Sequence, residues 1–135
     1  MDISNIINYE QLYTLDVLHP VTEKPLGIMM QIRSEGSPAA KEVQRQHTSK
    51  NVERAVKGKT RTGADIEQEN AELAASYIAS WDWGTNTYEG SKPELSMDTA
   101  IRILKKEDWL YQQVMKAARN LENFTGTSGR DSAAT

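Results

Sequence analysis

The stretch Tyr13-Thr14-Leu15-Asp16-Val17-Leu18-His19-Pro20-Val21-Thr22-Glu23-Lys24-Pro25-Leu26-Gly27-Ile28-Met29-Met30-Gln31-Ile32-Arg33 decides the fold class. In its first arm Tyr13, Leu15 and Val17 alternate with Thr14 and Asp16, the period-2 signature of a half-buried strand. In its second arm Leu26, Ile28, Met30 and Ile32 point inward, and Gly27, Met29, Gln31 and Arg33 point outward. Between them two prolines bracket polar residues, which reads as a turn. The chain therefore opens with a β-hairpin. A lone hairpin is marginal in water, so it must lie on helices or on a neighbouring subunit.

Beyond the hairpin the pattern turns helical. Ser37 is placed as an N-cap with Pro38 at the first helical position, and that helix should run to about Lys57 and stop at Gly58. Its apolar face is thin (Ala39, Ala40, Val43, Val52, Ala55, Val56), so it should cross the surface or reach toward a partner. Thr62-Gly63-Ala64-Asp65 has the form of a capping box with Asp in place of Glu. From there Ile66, Asn70, Leu73, Ala74, Tyr77, Ile78 and Trp81 fall on one helical stripe, which predicts a helix ending near Gly84. Residues 84–95 read as a loop, Ser96 caps a short helix carrying Ala100, Ile101 and Leu104, and a last helix begins near Glu107-Asp108. That helix should bury Leu110, Val114, Ala117, Ala118 and Leu121, with Phe124 anchoring its end. The expectation is an α+β domain, mostly α, over residues 1–124: an N-terminal hairpin, about four helices and a flexible tail at 125–135.

Composition removes several function classes. The 135 residues contain no cysteine, which excludes disulfides, Cys-ligated zinc, iron–sulfur clusters and thiol catalysis. No apolar run approaches the ~20 residues that span a bilayer, and Met1-Asp2-Ile3-Ser4-Asn5 lacks the basic and apolar regions of a signal peptide. The net charge of −3 is unevenly distributed. Residues 41–61 carry seven basic side chains (Lys41, Arg45, Lys50, Arg54, Lys57, Lys59, Arg61) against Glu42 and Glu53, while both flanking segments are acidic. Three readings stay open: nucleic-acid binding, a head-to-tail contact in which the basic strip of one copy meets the acidic face of the next, or a solvated helix face.

No catalytic constellation emerges. His19 precedes a turn proline and His47 lies on the basic helix; both read as surface or packing residues. Gly58-Lys59-Thr60 lacks the glycine five positions earlier that a phosphate loop needs. Glu67, Glu69 and Glu72 fan across what reads as a solvated face. No enzyme activity, cofactor or metal is expected. The basic segment holds no aromatic to stack on bases, so nucleic acid is disfavoured as a partner. Met29 on the outward hairpin face, Trp83 and the loop residue Tyr88 are of types enriched at protein interfaces. With Lys41, Arg45, Arg54 and Lys57 they form the candidate protein-binding set.

The order of these motifs resembles a known family. Leu18-His19-Pro20, a turn and Pro25-Leu26-Gly27-Ile28 come first, and Ser37-Pro38 with a basic helix closing on Gly58-Lys59 follows. Then come Glu69, Ala74-Ala75 and Trp81, a Gly-Pro loop, Ser96 with Ala100 and Leu104, and finally Trp109-Leu110, Gln113-Val114, Ala117 and Phe124. Over residues 13–124 this is similar to the tail assembly chaperones of long-tailed, non-contractile (siphovirus) bacteriophages, most closely those of lambdoid phages of the HK-type. The resemblance implies a non-enzymatic protein of the infected host's cytoplasm, absent from the mature virion. Such proteins are made in a short form and a longer form produced by ribosomal frameshifting. They self-associate, coat and solubilise the tape measure protein, and through the longer form recruit tail tube subunits. A frameshift would replace or extend Thr125–Thr135, and a head-to-tail contact that does not close would give a spiral. The alternative function is a small phage DNA-binding regulator using residues 41–61. No membrane partner is expected.

Overall fold

The computed structural model describes residues 1–126; the tail expected over 125–135 therefore lies, beyond Gly126, outside the described residues. The hairpin forms as the alternation requires. Strand β1 (Leu12–Leu18) pairs antiparallel with β2 (Pro25–Arg33), with Leu15 opposite Met30 and Asp16 opposite Met29. His19 braces the turn that joins them, since its Nδ1 accepts from the backbone N–H groups of Val21 and Thr22.

Two helices follow. Helix α1 (Pro38–Val56) begins with Ser37 accepting from the N–H of Ala40, and the chain leaves it through Gly58 at φ +71°. Helix α2 (Gly63–Ser76) starts at a complete capping box: the Thr62 hydroxyl accepts from Asp65 N–H at 3.1 Å, and the Asp65 carboxylate accepts from Thr62 N–H at 2.9 Å. These backbone and side-chain bonds hold the Asp65 carboxyl below its usual range.

One correction is substantial. The helix expected to continue to Gly84 stops at Ser76, and Ile78–Asp82 form a third strand, β3, on the other side of β2. Two physical pressures favour the strand. Ser80 and Asp82 alternate with Trp81 and Trp83 at period 2, and without β3 the second side of β2 would keep its backbone groups unpaired. The sheet is thus an antiparallel β1-β2-β3 meander with the α1–α2 hairpin inserted before β3. Ile66 and Asn70, expected on the buried stripe, are instead exposed, Ile66 at 42%. Ala74, Tyr77 and Ile78 are buried as expected.

Gly84 opens the loop after β3 at φ +58°. A Cβ there would stand 2.8 Å from the carbonyl oxygen of Gly27, so the backbone approach between β2 and the following loop needs glycine. Helix α3 (Met97–Lys106) is capped by Ser96, and α4 (Asp108–Arg119) follows after Glu107. Both lie on one face of the sheet with α2. Val17, Ile28, Met30, Ile32, Ala74, Tyr77, Ile103, Leu104, Leu110 and Val114 share one core. Gln113 on α4 fastens the β1 edge. Its amide oxygen accepts from Leu18 N–H at 3.0 Å and its nitrogen donates to Leu18 C=O at 2.8 Å, in place of a neighbouring strand. Phe124 is fully buried, worth about 1.5–3 kcal/mol of transfer free energy. Leu121, expected in the core, is half exposed. Among the described residues no helix is long and apolar enough to cross a membrane.

Candidate functional site

The seven candidate residues separate into three environments. Met29 lies on the sheet face that no helix among the described residues covers, and it is 42% exposed. Strand register places it between Asp16 on β1 and Asp82 on β3, so the three form one row across the sheet. The next row is Thr14, Gln31 and Ser80, with the Gln31 amide donating to the Thr14 hydroxyl at 2.9 Å.

Trp83 and Tyr88 belong elsewhere. Trp83 is only 7% exposed, which corrects the expectation of a surface tryptophan. It follows Asp82 in a period-2 run, so its ring turns inward, edge-on to Trp81 at 5.7 Å and to Tyr88 at 6.2 Å. Tyr88 is half-buried over that cluster. Its hydroxyl donates to the Glu107 carboxylate at 2.8 Å, and Arg102 and Lys106 each stand 5.8 Å from its ring centre. Burial and the bond to Glu107 push its phenol up to about 12. Met29, Trp83 and Tyr88 therefore do not make one surface: two are packing residues, and Met29 stands on the opposite face of the sheet.

The basic residues of α1 are divided by helical phase. Ala40, Gln44, His47, Asn51 and Arg54 face the body of the protein. Arg54 donates to Glu69 at 3.0 Å and lies 3.5 Å from Asp65. Arg61 reaches the same Glu69 at 2.8 Å. Glu69 is 7% exposed, so the carboxylate read as solvated is instead the buried centre of the α1–α2 seam. His47 bonds Glu72 at 2.8 Å. Burial raises the Glu72 carboxyl, but hydrogen bonds from Gln68 and His47 outweigh it and hold the group below its usual range.

The outer side of α1 is different. Lys41 and Arg45 are exposed there, with Arg45 paired, among the described residues, only to Glu42 on its own helix. Lys57 pairs with Glu53 one turn away. Val52 is 58% and Val56 82% exposed, and at helical spacing they continue the ridge that Lys41 and Arg45 begin. Of the nineteen residues of α1, Ala40 alone is fully buried. Sequence reasoning did not single out the exposed Asp16, Asp82, Val52 and Val56, and it missed Glu69 as a buried anchor. Asp16 was legible as an outward residue of β1, but Asp82 acquires its place only through β3.

Among the described residues no group of His, Asp or Glu is placed to hold a metal ion. No protein-family model, curated protein or solved structure matches this chain. The geometry and the sequence pattern therefore carry the functional reading.

Proposed function

We propose that this chain is a tail assembly chaperone of a long-tailed, non-contractile phage. It self-associates, coats and solubilises the tape measure protein, and helps to recruit tail tube subunits in the host cytoplasm. The observation that carries the reading is α1: a nineteen-residue helix that buries one side chain fully while presenting Val52 and Val56 to solvent beside two cations. A helix with so little internal apolar contact is stabilised by its polar seam to α2, and its outer ridge is free for another protein. The motif order over residues 13–124, which resembles that family, supports the reading.

The DNA-binding alternative gains little from the geometry. Arg54 and Arg61, two of the seven cations of that segment, are committed to Glu69 and cannot reach phosphates without breaking the seam. A DNA binder neutralising several phosphates loses affinity steeply with salt, whereas the chaperone has no DNA affinity to titrate. The direct test is co-expression with the tape measure protein of the phage that encodes this chain. The tape measure protein stays in the supernatant on centrifugation when this chain is present and sediments when it is absent. Sedimentation in both cases removes the chaperone reading.

A further inference from the structure

The outer sheet face is unpartnered, and its charge is complementary to another surface of the same molecule. Asp16, Met29 and Asp82 lie side by side on β1, β2 and β3, with the two carboxylates about 10 Å apart across two strand spacings. Among the described residues neither carboxylate forms an ion pair; Asp82 accepts only the N–H of Gly84, at 2.8 Å. Gly27, the next outward residue on β2, adds no side chain beside Met29, and the Asn86 amide borders it, 3.7 Å from where a Cβ would stand. An antiparallel sheet often turns one face to water, so exposure alone would mean nothing. The informative feature is an apolar side chain bracketed by two unpaired negative charges.

The complement is the outer ridge of α1. Lys41 and Arg45 are one turn apart, about 6 Å along the axis, and Val52 follows about 10 Å beyond Arg45. Lys41 has no ion-pair partner among the described residues, and Arg45 holds only an exposed pair with Glu42, the kind worth little in water. The ridge thus offers two cations and two exposed valines to a face that carries two carboxylates and an exposed methionine.

We infer that the outer sheet face, centred on Asp16, Met29 and Asp82, is the docking surface for the α1 ridge (Lys41, Arg45, Val52, Val56) of a second copy of this chain. The two surfaces differ, so the contact is heterologous: each copy keeps one free ridge and one free sheet face, and association continues as an open array unless rotation closes it. The charges orient the approach and make it sensitive to salt, and Met29 and the valines supply the apolar contact. The inference rests on the self-association in the chaperone reading, but not on its client.

The test uses the full chain without client, in two variants. The sheet variant is Asp16→Lys with Asp82→Asn, which keeps an acceptor for the N–H of Gly84. The ridge variant is Lys41→Ala with Arg45→Ala, which leaves no charge complementary to Asp16→Lys. Sedimentation velocity on wild type is expected to show mass rising with concentration and falling as salt is raised. Each variant alone, with its melting temperature within a few degrees of wild type, is expected to self-associate at least tenfold more weakly. An equimolar mixture is expected to give a discrete dimer, because the intact ridge of one variant meets the intact sheet face of the other and no further copy can add. Wild-type association with both variants unaffected overturns this docking surface and leaves self-association standing. A wild type that stays monomeric at millimolar concentration overturns the docking surface and self-association together. Variants that weaken association but do not dimerise when mixed also overturn it, because two distinct complementary surfaces require the mixed dimer.

Discussion

Replacing Arg54 by Met keeps the apolar stem of the side chain and removes its charge from the buried centre of the α1–α2 seam. Glu69 then retains the bond from Arg61 at 2.8 Å and the weaker one from Asn51 at 3.4 Å, but loses the one from Arg54 at 3.0 Å. Breaking a fully buried pair costs about 3–5 kcal/mol, and a hydrogen bond to a charged group contributes about 1.5–3 kcal/mol. Glu69 is not left without a cation, and the Arg61 side chain is 42% exposed, so water can reach that side of the carboxylate. The lower range applies, a loss of about 2 kcal/mol. At about 4 °C per kcal/mol for a domain of this size, the melting temperature followed by circular dichroism falls by about 8 °C. Hydrogen exchange locates the effect: amides in the second half of α1 lose protection before those of the sheet, since α1 has little else to hold it. The double variant Arg54→Met/Glu69→Met returns to within about 1 kcal/mol of wild type, because an apolar replacement of a buried pair is close to neutral. A single-variant loss below about 0.5 kcal/mol, or a double variant as unstable as the two singles summed, refutes the view that this carboxylate anchors α1.

Three further outcomes follow from the core and its edges. Among the described residues the buried Tyr77 hydroxyl has no partner at hydrogen-bonding geometry, with Arg119 the nearby cation, so Tyr77→Phe relieves a desolvated polar group and is neutral or stabilising by about 1 kcal/mol in a urea melt; a loss above about 1 kcal/mol means the hydroxyl is bonded. Gly84→Ala combines a left-handed backbone with a Cβ 2.8 Å from the Gly27 carbonyl oxygen, and should destabilise by more than about 1 kcal/mol on the same measurement. Alkaline titration should reveal Tyr77 and Tyr88: burial, joined at Tyr88 by Glu107, raises both phenols to about 12 from an ordinary value of 10.0. The folded state keeps the proton that the unfolded state releases, so their stabilisation is complete below about pH 10 and is lost as pH rises toward about 12. Tyrosinate absorbance from all five tyrosines rising in step near pH 10, with no loss of fold, would contradict that assignment.

The parts of this fold legible in the sequence are those with local causes. Alternation over residues 13–33 needs only the pleat, the Thr62–Asp65 capping box needs only one turn, and Ser37, Gly58 and Ser96 mark helix ends by their own side chains or their lack of one. The part that escaped was decided at a distance. Tyr77, Ile78 and Trp81 fit a helical stripe as well as a strand, and the unpaired side of β2, far earlier in the chain, settles the competition. Two consequences for the candidate site follow from that one change. Trp83 turns into the core rather than onto a new helix face, and Asp82 arrives beside Met29. Glu69 escaped for a similar reason: glutamate at helical spacing reads as solvated until α1 brings Arg54 and the intervening loop brings Arg61 onto it.

The central claim is that many copies of this chain hold one aggregation-prone client in solution. Light scattering coupled to size exclusion, on the complex purified after co-expression with the tape measure protein, measures that directly. A single species containing the client and many copies of this chain is expected, and its mass falls when Asp16 and Asp82 are replaced. A chain eluting alone as a 15.2 kDa monomer, with the client in the pellet, would contradict it.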